Sequence, residues 1–368
     1  MAQEQASGII GGVDAGESDF PWISALIKKG NFSAPAVIGG GVLIADQWVL
    51  TAAHSVAAET PDSVELWFRV KDLSNTDELI QRNVLAIYEH PDFENSGGIS
   101  TNDLALLLLD RPLTEITPVP LIESGEPLFP DDPVSTAGWG TISAGVTEPH
   151  PVLQKCDLEL VTRMSANPFF GNALTVAHLP ARDSNAVATP CFGDSGGPLV
   201  KVIEGTETLV GLVSFGSSDC SDASVPAVFV NVHQFLDWID DYLELTSEAS
   251  GIKVTGKGKE ISNGDLSPRR RDNTYFGKFR VKKRKVSRTF YVQNAGAGLL
   301  TVRAVTASGS RFRVKKAPVA LINESARSSC KIQFRSPRRK SRKRSTVRLY
   351  TNDPVNPVYR FRVKAKIR

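Results

Sequence analysis

The stretch Cys191-Phe192-Gly193-Asp194-Ser195-Gly196-Gly197-Pro198-Leu199-Val200 places a serine between glycines, directly after an aspartate. A serine hydroxyl is a weak nucleophile at neutral pH, so it needs a neighbouring base and N–H donors for the oxygen that becomes charged. Glycines let the backbone approach a substrate closely. The stretch therefore predicts a reactive serine. It also calls for three groups elsewhere: a histidine base, a carboxylate that orients the histidine, and a cation for Asp194.

The rest of the chain contains candidates for all three groups, in sequence order. His54 follows an apolar run in Thr51-Ala52-Ala53-His54, and Asp103 stands directly before the apolar run 104–109. Ile9-Ile10-Gly11-Gly12 would provide a new α-amine if the chain were cut before Ile9. A single histidine or a glycine-rich turn is more often structural. The joint occurrence of these motifs favours catalysis instead.

Together the four motifs resemble the trypsin/chymotrypsin-like serine proteases over about residues 9–245. The resemblance implies that Ser195 is the nucleophile and that His54 acts first as general base and then as general acid. It implies that Asp103 holds the imidazole tautomer and stabilises the imidazolium. The backbone N–H groups of Gly193 and Ser195 are then expected to form the oxyanion hole.

The same resemblance implies activation by cleavage. Residues 1–8 are predicted to be a pro-segment or a leftover segment, and the ammonium freed at Ile9 is expected to pair with Asp194 and order the pocket. While residues 1–8 remain attached, the site is expected to be poorly formed. Ser7-Gly8 precede the cleavage point instead of Arg or Lys, so the activating protease is not expected to be trypsin-like.

The resemblance also assigns a substrate pocket. Thr189, Gly216 and Ala227 match its base and walls, and Ser214-Phe215-Gly216 matches the edge that pairs with the substrate backbone. The hydroxyl of Ser214 is expected to support the triad carboxylate. A neutral base cannot offset the burial of a substrate Lys or Arg charge, and Ala227 reduces the depth. We therefore expect cleavage after medium apolar residues such as Leu, Val, Ala or Met.

The four cysteines give information on whether the protein works in an oxidising compartment. Cys191 and Cys220 match a family disulfide beside the pocket, which suits an oxidising environment. Cys156 and Cys330 leave two interpretations open, namely an interdomain disulfide or two free thiols. No metal or organic cofactor is implied by the motifs, and the expected partners are protein or peptide substrates.

Short apolar stretches separated by Gly, Asn, Pro and Asp predict an all-β chain. Two such sets predict two barrels with the site between them, and helical spacing over 235–245 predicts a final helix for the protease domain 9–245.

Residues 246–250 are predicted to be a linker, and seven or eight short strands in 251–368 predict a β-sandwich. Phe276-Gly277, Tyr291-Val292-Gln293-Asn294-Ala295-Gly296 and Thr351-Asn352-Asp353-Pro354 resemble the Ig-like choice-of-anchor D domains related to the ASPM/SPD-2/Hydin repeat.

Charge divides the chain sharply, although the net charge is only +3. Residues 1–250 hold 10 Lys and Arg against 35 Asp and Glu, whereas residues 251–368 hold 33 against 5. Basic runs lie at 269–271, 282–285 and 338–344. Three interpretations remain open: a solvated face, docking on the acidic protease, or binding of an external polyanion such as envelope lipid, extracellular polysaccharide or nucleic acid. The lack of interleaved aromatic residues argues against stacking on single strands.

The chain has no apolar run near the ~18–20 residues of a membrane span. Its first residues lack the basic and apolar segments of a signal peptide, and we favour a trimmed signal and a secreted or cell-surface protein. The predicted function is that of a secreted serine endopeptidase with a basic C-terminal anchoring or targeting module. The alternative is an inactive protease-like protein that binds polyanions through the basic domain.

Overall fold

A computed structural model describes residues 9–30, 32, 34–141, 148–247, 250–279, 285–308, 311–337, 341–353 and 355–367. The predictions for the segment 1–8, for linker residues 248–249 and for basic residues 280–284 and 338–340 lie outside the described residues. The chain forms two compact units whose boundary in the sequence falls between Ile239 and Asp240.

The first unit is built from short strands. They are β1 (Val13–Asp14), β2 (Ile23–Lys28), β3 (Ala36–Ala45), β4 (Trp48–Thr51), β5 (Val64–Phe68), β6 (Ile80–Glu89), β7 (Glu94–Ser96), β8 (Ile99–Thr101), β9 (Ala105–Leu109), β10 (Pro133–Gly138), β11 (Gln154–Leu160), β12 (His178–Arg182), β13 (Pro198–Ile203), β14 (Thr206–Phe215) and β15 (Ala227–Asn231). The helices are α1 (Ala53–Val56) and α2 (Arg163–Ala166), with 3₁₀ turns at Pro61–Ser63, Asn167–Phe170 and Val232–Phe235. The sequence boundary between the two units falls within α3 (Leu236–Ser247). In the described part of the chain, no helix has both the length and the apolar character needed to cross a membrane.

The first barrel closes in the order β2-β3-β4-β9-β6-β5. Buried and partly exposed side chains alternate along its strands, as expected for a strand with one face in the core. In β5, Val64, Leu66 and Phe68 are buried, while the two residues between them are partly exposed. β9 is buried along its whole length because it lies between β4 and β6. β4 and β9 therefore form a rigid base, and the segments that carry His54 and Asp103 are attached to them.

The second barrel has the strand order β11-β10-β13-β14-β15-β12 and closes where β12 pairs with β11, while β1 adds to β11 from outside. The two-barrel fold predicted from the apolar stretches is thus confirmed. β12 was not predicted, because a histidine and a proline interrupt its apolar pattern. The site lies where loops of this barrel touch strands of the first.

The second unit adds ten strands. They are β16 (Ile252–Gly256), β17 (Lys259–Glu260), β18 (Tyr275–Phe279), β19 (Lys285–Asn294), β20 (Leu300–Ala307), β21 (Phe312–Lys316), β22 (Leu321–Ile322), β23 (Arg327–Arg335), β24 (Ser341–Thr351) and β25 (Val358–Ile367). One five-stranded sheet has the order β17-β16-β19-β23-β21, and the other has β18-β25-β24-β20-β22. Phe290 and Ile332 of the first sheet and Val347 and Phe361 of the second belong to one buried core. This is the sandwich architecture predicted for the C-terminal region.

The two remaining cysteines are free thiols in the structure. Cys156 and Cys330 are both buried. Burial raises the pKa of Cys330 to about 12 and also raises the pKa of Cys156, because the thiolate would lose its hydration. Both side chains therefore behave as small apolar residues, as the interpretation with two free thiols expected.

Candidate active site

The histidine of the site lies at the start of a short helix. β4 is fully buried and ends at Thr51, Ala52 is extended, and α1 carries His54 in its first turn. The backbone N–H of His54 donates to Asp103 Oδ1 at 2.9 Å. Its side chain is 25% exposed, so part of the imidazole is accessible to a ligand.

Asp103 is a buried carboxylate with three donors. It follows Asn102, whose left-handed backbone (φ 50°) turns the chain just before β9, and it is 1% exposed. Its Oδ2 lies 2.7 Å from His54 Nδ1 and accepts a hydrogen bond from the Ser214 hydroxyl at 2.5 Å. When Nδ1 carries the proton and donates it to Asp103, the lone pair of the neutral ring is on Nε2. That tautomer is the one a general base needs.

The loop that carries Ser195 connects the two barrels. The Ser195 carbonyl accepts a hydrogen bond from Gly40 N–H in β3 at 2.8 Å, and Gly196 N–H donates to the Val213 carbonyl in β14 at 2.8 Å. Gly196 has a φ of 78°, and a Cβ there would lie 2.3 Å from Thr51 Oγ1. Only glycine can therefore bring this loop so close to the chain just before His54.

Among the described residues, neither His54 Nε2 nor Ser195 Oγ takes part in a hydrogen bond. The bond between these two groups is often long in free enzymes and tightens when substrate binds. The contacts of Gly196 and Gly40 hold the serine loop against the segment that ends in His54.

The backbone N–H groups that are expected to form the oxyanion hole have no acceptor among the described residues. Gly193 has a φ of 97°, and a Cβ there would meet Gly140 Cα at 3.0 Å, so a side chain would disturb this turn. In the part of the chain that the structure describes, the N–H groups of Gly193 and Ser195 donate to no protein acceptor. Two unpaired N–H groups on one strained turn can donate to an oxyanion that forms at a substrate carbonyl.

Asp194 is fully buried and lacks a cation. Its two oxygens accept hydrogen bonds from Gly140 N–H at 2.7 Å and Cys191 N–H at 2.9 Å. A Cβ at Gly138 or Gly140 would lie 2.1 Å or 2.3 Å from these oxygens, so both glycines are needed for the fit. Burial raises the pKa of Asp194 to about 7, and no cation among the described residues binds it.

The segment after the predicted cleavage point is seated beside the pocket. Ile9 is fully buried with a φ of 54°, and the Ile10 carbonyl accepts the Thr189 N–H at 3.0 Å. A Cβ at Gly11 would lie 2.3 Å from the Val187 carbonyl oxygen. The structure thus brings the Ile9 segment against the pocket base. It shows no hydrogen bond between Ile9 and Asp194 among the described residues.

The predicted pocket residues lie together. Thr189 is 6% exposed, and Cys191 and Cys220 form the predicted disulfide, with their Cα atoms 5.7 Å apart. A Cβ at Gly216 would lie 3.7 Å from Ala227 Cα, so the two residues predicted to form the pocket walls are neighbours. Thr189, the residue predicted to form the base of the pocket, carries no charge.

Sequence reasoning missed the support of the pocket edge. Phe215 contacts Phe170 and His178 edge-on, with ring centroids 5.5 Å and 5.6 Å apart. His178 Nε2 lies 2.9 Å from the Ser100 carbonyl oxygen, which fixes that ring. Phe215 lies in β14, His178 in β12, Ser100 in β8 and Phe170 in a 3₁₀ turn, and no sequence motif links them. Their effect is to hold an aromatic wall beside the substrate edge.

The arrangement is suited to acyl transfer, because it brings together a hydroxyl, an oriented imidazole, a buried carboxylate and two N–H donors. Across the described ranges, no group of three or more His, Cys, Asp and Glu side chains is placed to hold a metal ion.

Comparison with known proteins identifies the family. The family model described as Trypsin matches residues 9–239. The chain belongs to the trypsin family. A mouse tryptase is 33% identical over 252 residues, which cover 64% of this chain and 89% of the tryptase. The solved structure of the Vibrio cholerae VesB protease matches with a TM-score of 0.56 and 22% identity, over 98% of this chain and 99% of that one, and this likeness concerns the fold. This trypsin-family chain is a serine endopeptidase, a hydrolase.

Proposed function

We propose that this trypsin-family protease cleaves peptide bonds through Ser195, His54 and Asp103. The observation that carries the proposal is the double contact of Asp103 with the backbone N–H and Nδ1 of His54, completed by the Ser214 hydroxyl. A buried carboxylate held in this way fixes both the position and the tautomer of the imidazole. It also stabilises the imidazolium that forms during the reaction.

The proposed reaction has two halves. Ser195 Oγ attacks the substrate carbonyl carbon while His54 Nε2 takes the hydroxyl proton, and the oxyanion receives hydrogen bonds from Gly193 N–H and Ser195 N–H. His54 then gives its proton to the leaving amine, which leaves an acyl-enzyme. A water molecule attacks the acyl carbon with His54 again as base, and the acid product leaves Ser195 free.

The proposed specificity follows from the pocket. A neutral Thr189 at the base offers no partner for a buried substrate cation, and an alanine at 227 is expected to reduce the depth of the pocket. We expect medium apolar residues at the position before the cleaved bond, with Leu, Val, Ala or Met ahead of Phe and Tyr.

Activation is proposed to depend on the buried carboxylate of Asp194. Cleavage before Ile9 would create an α-ammonium in a segment that is already packed beside the pocket, and Asp194 would gain the cation it lacks. An ion pair with this carboxylate favours its charged form and holds the oxyanion turn in place.

The test is a peptide library varied at the residue before the cleaved bond, hydrolysed by protein whose chain begins at Ile9. We expect the highest kcat/KM for medium apolar residues, and no hydrolysis by the Ser195→Ala variant. A preference for Arg or Lys would contradict the proposed pocket. Hydrolysis retained by Ser195→Ala would contradict the proposed nucleophile.

The wider role is proposed from charge and family. We propose that the protease is secreted or held at the cell surface, and that residues 251–368 anchor or target it through their basic charge. The support is the excess of 33 Lys and Arg over 5 Asp and Glu in this segment.

A further inference from the structure

One face of a sheet in the basic unit is lined with cations. In β24 and β25 alternate side chains are buried in the core, so the residues between them point to solvent. The antiparallel register places Arg344 opposite Lys364 and Arg348 opposite Arg360, and β18 adds a further cation beside β25. The cationic face is defined as Lys278, Arg342, Arg344, Arg348, Arg360, Arg362, Lys364 and Lys366.

Five cations of this face lack an ion-pair partner among the described residues. Arg344, Arg348, Arg360, Arg362 and Lys364 take part in none of the ion pairs found among the described residues. The three strands that form the face contain no Asp or Glu. Like charges directly opposite each other destabilise a sheet. An external anion would relieve this repulsion.

A carboxylate next to β25 does not pair with these cations. Asp265 lies beside Phe361 at the edge of β25. One of its oxygens accepts a hydrogen bond from Ser267 N–H at 2.7 Å. It takes part in none of the described ion pairs, so the face keeps its positive charge.

One end of the face is apolar. Tyr350 and Val358 pair across β24 and β25, and each is 37% exposed. Val355, in the turn between these strands, is 82% exposed. Tyrosine and aliphatic side chains next to cations are typical of segments that enter the headgroup region of a membrane.

The shape of the face favours a planar partner. Its cations lie on three neighbouring strands about 4.8 Å apart, and they recur about every 6.8 Å along each strand. A DNA duplex is read by an element that enters a groove, and a single strand is held by aromatic stacking between basic residues. The cationic face has neither feature, whereas a lipid headgroup layer presents anions in two dimensions.

We infer that the cationic face and the apolar turn bind an anionic lipid surface. The Lys and Arg side chains contact phosphate headgroups, and Tyr350, Val355 and Val358 enter the interface. This inference rests on the anchoring role proposed for residues 251–368. It is independent of the peptidase reaction, since a protein without the catalytic hydroxyl would bind equally well.

The experiment uses the full chain with Ser195→Ala, sedimented with vesicles of phosphatidylcholine alone or mixed with phosphatidylglycerol. We expect binding to the mixed vesicles only, and a loss of that binding as salt is raised. Adding Arg344→Gln, Arg348→Gln and Arg360→Gln is expected to weaken binding about 100-fold, at about fivefold per cation. Val355→Ser is expected to weaken it several-fold.

A matched control removes three cations from the other sheet, with Lys316→Gln, Lys331→Gln and Arg335→Gln. These residues are exposed, and the triple variant has the same net charge. Much weaker loss of binding in this control supports the proposed face. An equal loss in both triple variants would overturn it, because net charge alone would then explain binding. Tighter binding to duplex DNA or to a sulfated polysaccharide than to the mixed vesicles, with no effect of Val355→Ser, would overturn the lipid assignment.

Discussion

In the protease unit, Asp103 lies buried and each of its oxygens has a defined donor, whereas Arg348 and Arg360 in the basic sandwich lie opposite each other on an exposed sheet face. In the proposed mechanism the carboxylate of Asp103 acts alone, and its position controls the proton transfer through His54. The exposed arginines act through their combined positive charge, and each of them contributes only a part of the total effect. An anionic surface would attract the second unit and repel the acidic residues of the first. Single substitutions should therefore have large effects in one unit and small effects in the other.

The largest effect is expected from Asp103→Asn. An amide at this position can hold the wrong tautomer of His54 and cannot stabilise its imidazolium, so kcat should fall about 10⁴-fold. Steady-state hydrolysis of an apolar peptide substrate measures this. Asp110→Asn is the control, because Asp110 follows β9 but pairs with Arg111 at the surface. Similar losses in both variants would remove the distinction between the two carboxylates.

The next largest effect is expected in the pH dependence of folding stability, which depends on the carboxylate of Asp194. The pKa of Asp194 is about 7 in the folded chain, against 3.8 for an ordinary Asp, because burial disfavours its charged form. Between these values the folded state holds a proton that the unfolded state has lost, so stability falls as pH rises from about 4 to about 7. The full difference is on the order of 4 kcal/mol, since each pH unit is worth about 1.4 kcal/mol.

Urea unfolding of the uncleaved Ser195→Ala chain across this pH range checks the prediction. Asp194→Asn should remove the trend, and so should cleavage before Ile9, which supplies a cation to the carboxylate. A pH dependence that is identical with and without Asp194→Asn would show that this carboxylate is not the buried proton site.

A smaller effect is expected from a new charge in the pocket. Thr189→Asp would place a carboxylate at the neutral base, and a buried ion pair with a substrate cation contributes a few kcal/mol. The ratio of kcat/KM for Arg over Leu should then rise about 10²-fold. Thr206→Asp is the control, because it adds the same charge at an exposed position at the start of β14. An unchanged ratio in Thr189→Asp would mean that Thr189 does not line the primary pocket.

The smallest effect belongs to the basic sandwich. Arg348→Gln removes one of two facing charges, so it should stabilise that unit by about 0.2–1 kcal/mol at low salt, and the gain should shrink as salt screens the pair. Thermal unfolding at two salt concentrations measures this. Lys331→Gln serves as the control, since Lys331 lies opposite Thr289. Destabilisation by Arg348→Gln would show that the facing charges are compensated.

The strands that sequence predicted best are those whose apolar runs coincide with full burial. β9 is the clearest case, because all of its residues are buried and all are Leu or Ala. β12 was missed because His178 interrupts its apolar pattern. The ring is satisfied by the Ser100 carbonyl of β8, a contact that no local pattern reveals. β24 extends from Ser341 through the basic residues 342–344, because pairing with β25 holds in a strand cations that have no strand propensity of their own.

The site was predictable only in part. Spacing and motif pointed to His54, Asp103 and Ser195, since each stands in a distinctive local sequence. The hydrogen bond from Gly40 N–H to the Ser195 carbonyl could not be predicted from the sequence, because any residue except proline offers a backbone N–H. The cationic face likewise needed the register of β24 and β25, because a run of charges does not show which side chains share a face.

Labelling by a serine-directed fluorophosphonate tests the proposed catalysis most directly. The chain is processed to begin at Ile9, exposed to the reagent, digested and mapped by mass spectrometry. We predict one adduct, on Ser195, and its loss in His54→Ala, because the hydroxyl then has no base. The account would be contradicted by a folded, processed chain that gains no adduct or gains it at another residue, and the chain would then be a binding protein on a protease fold.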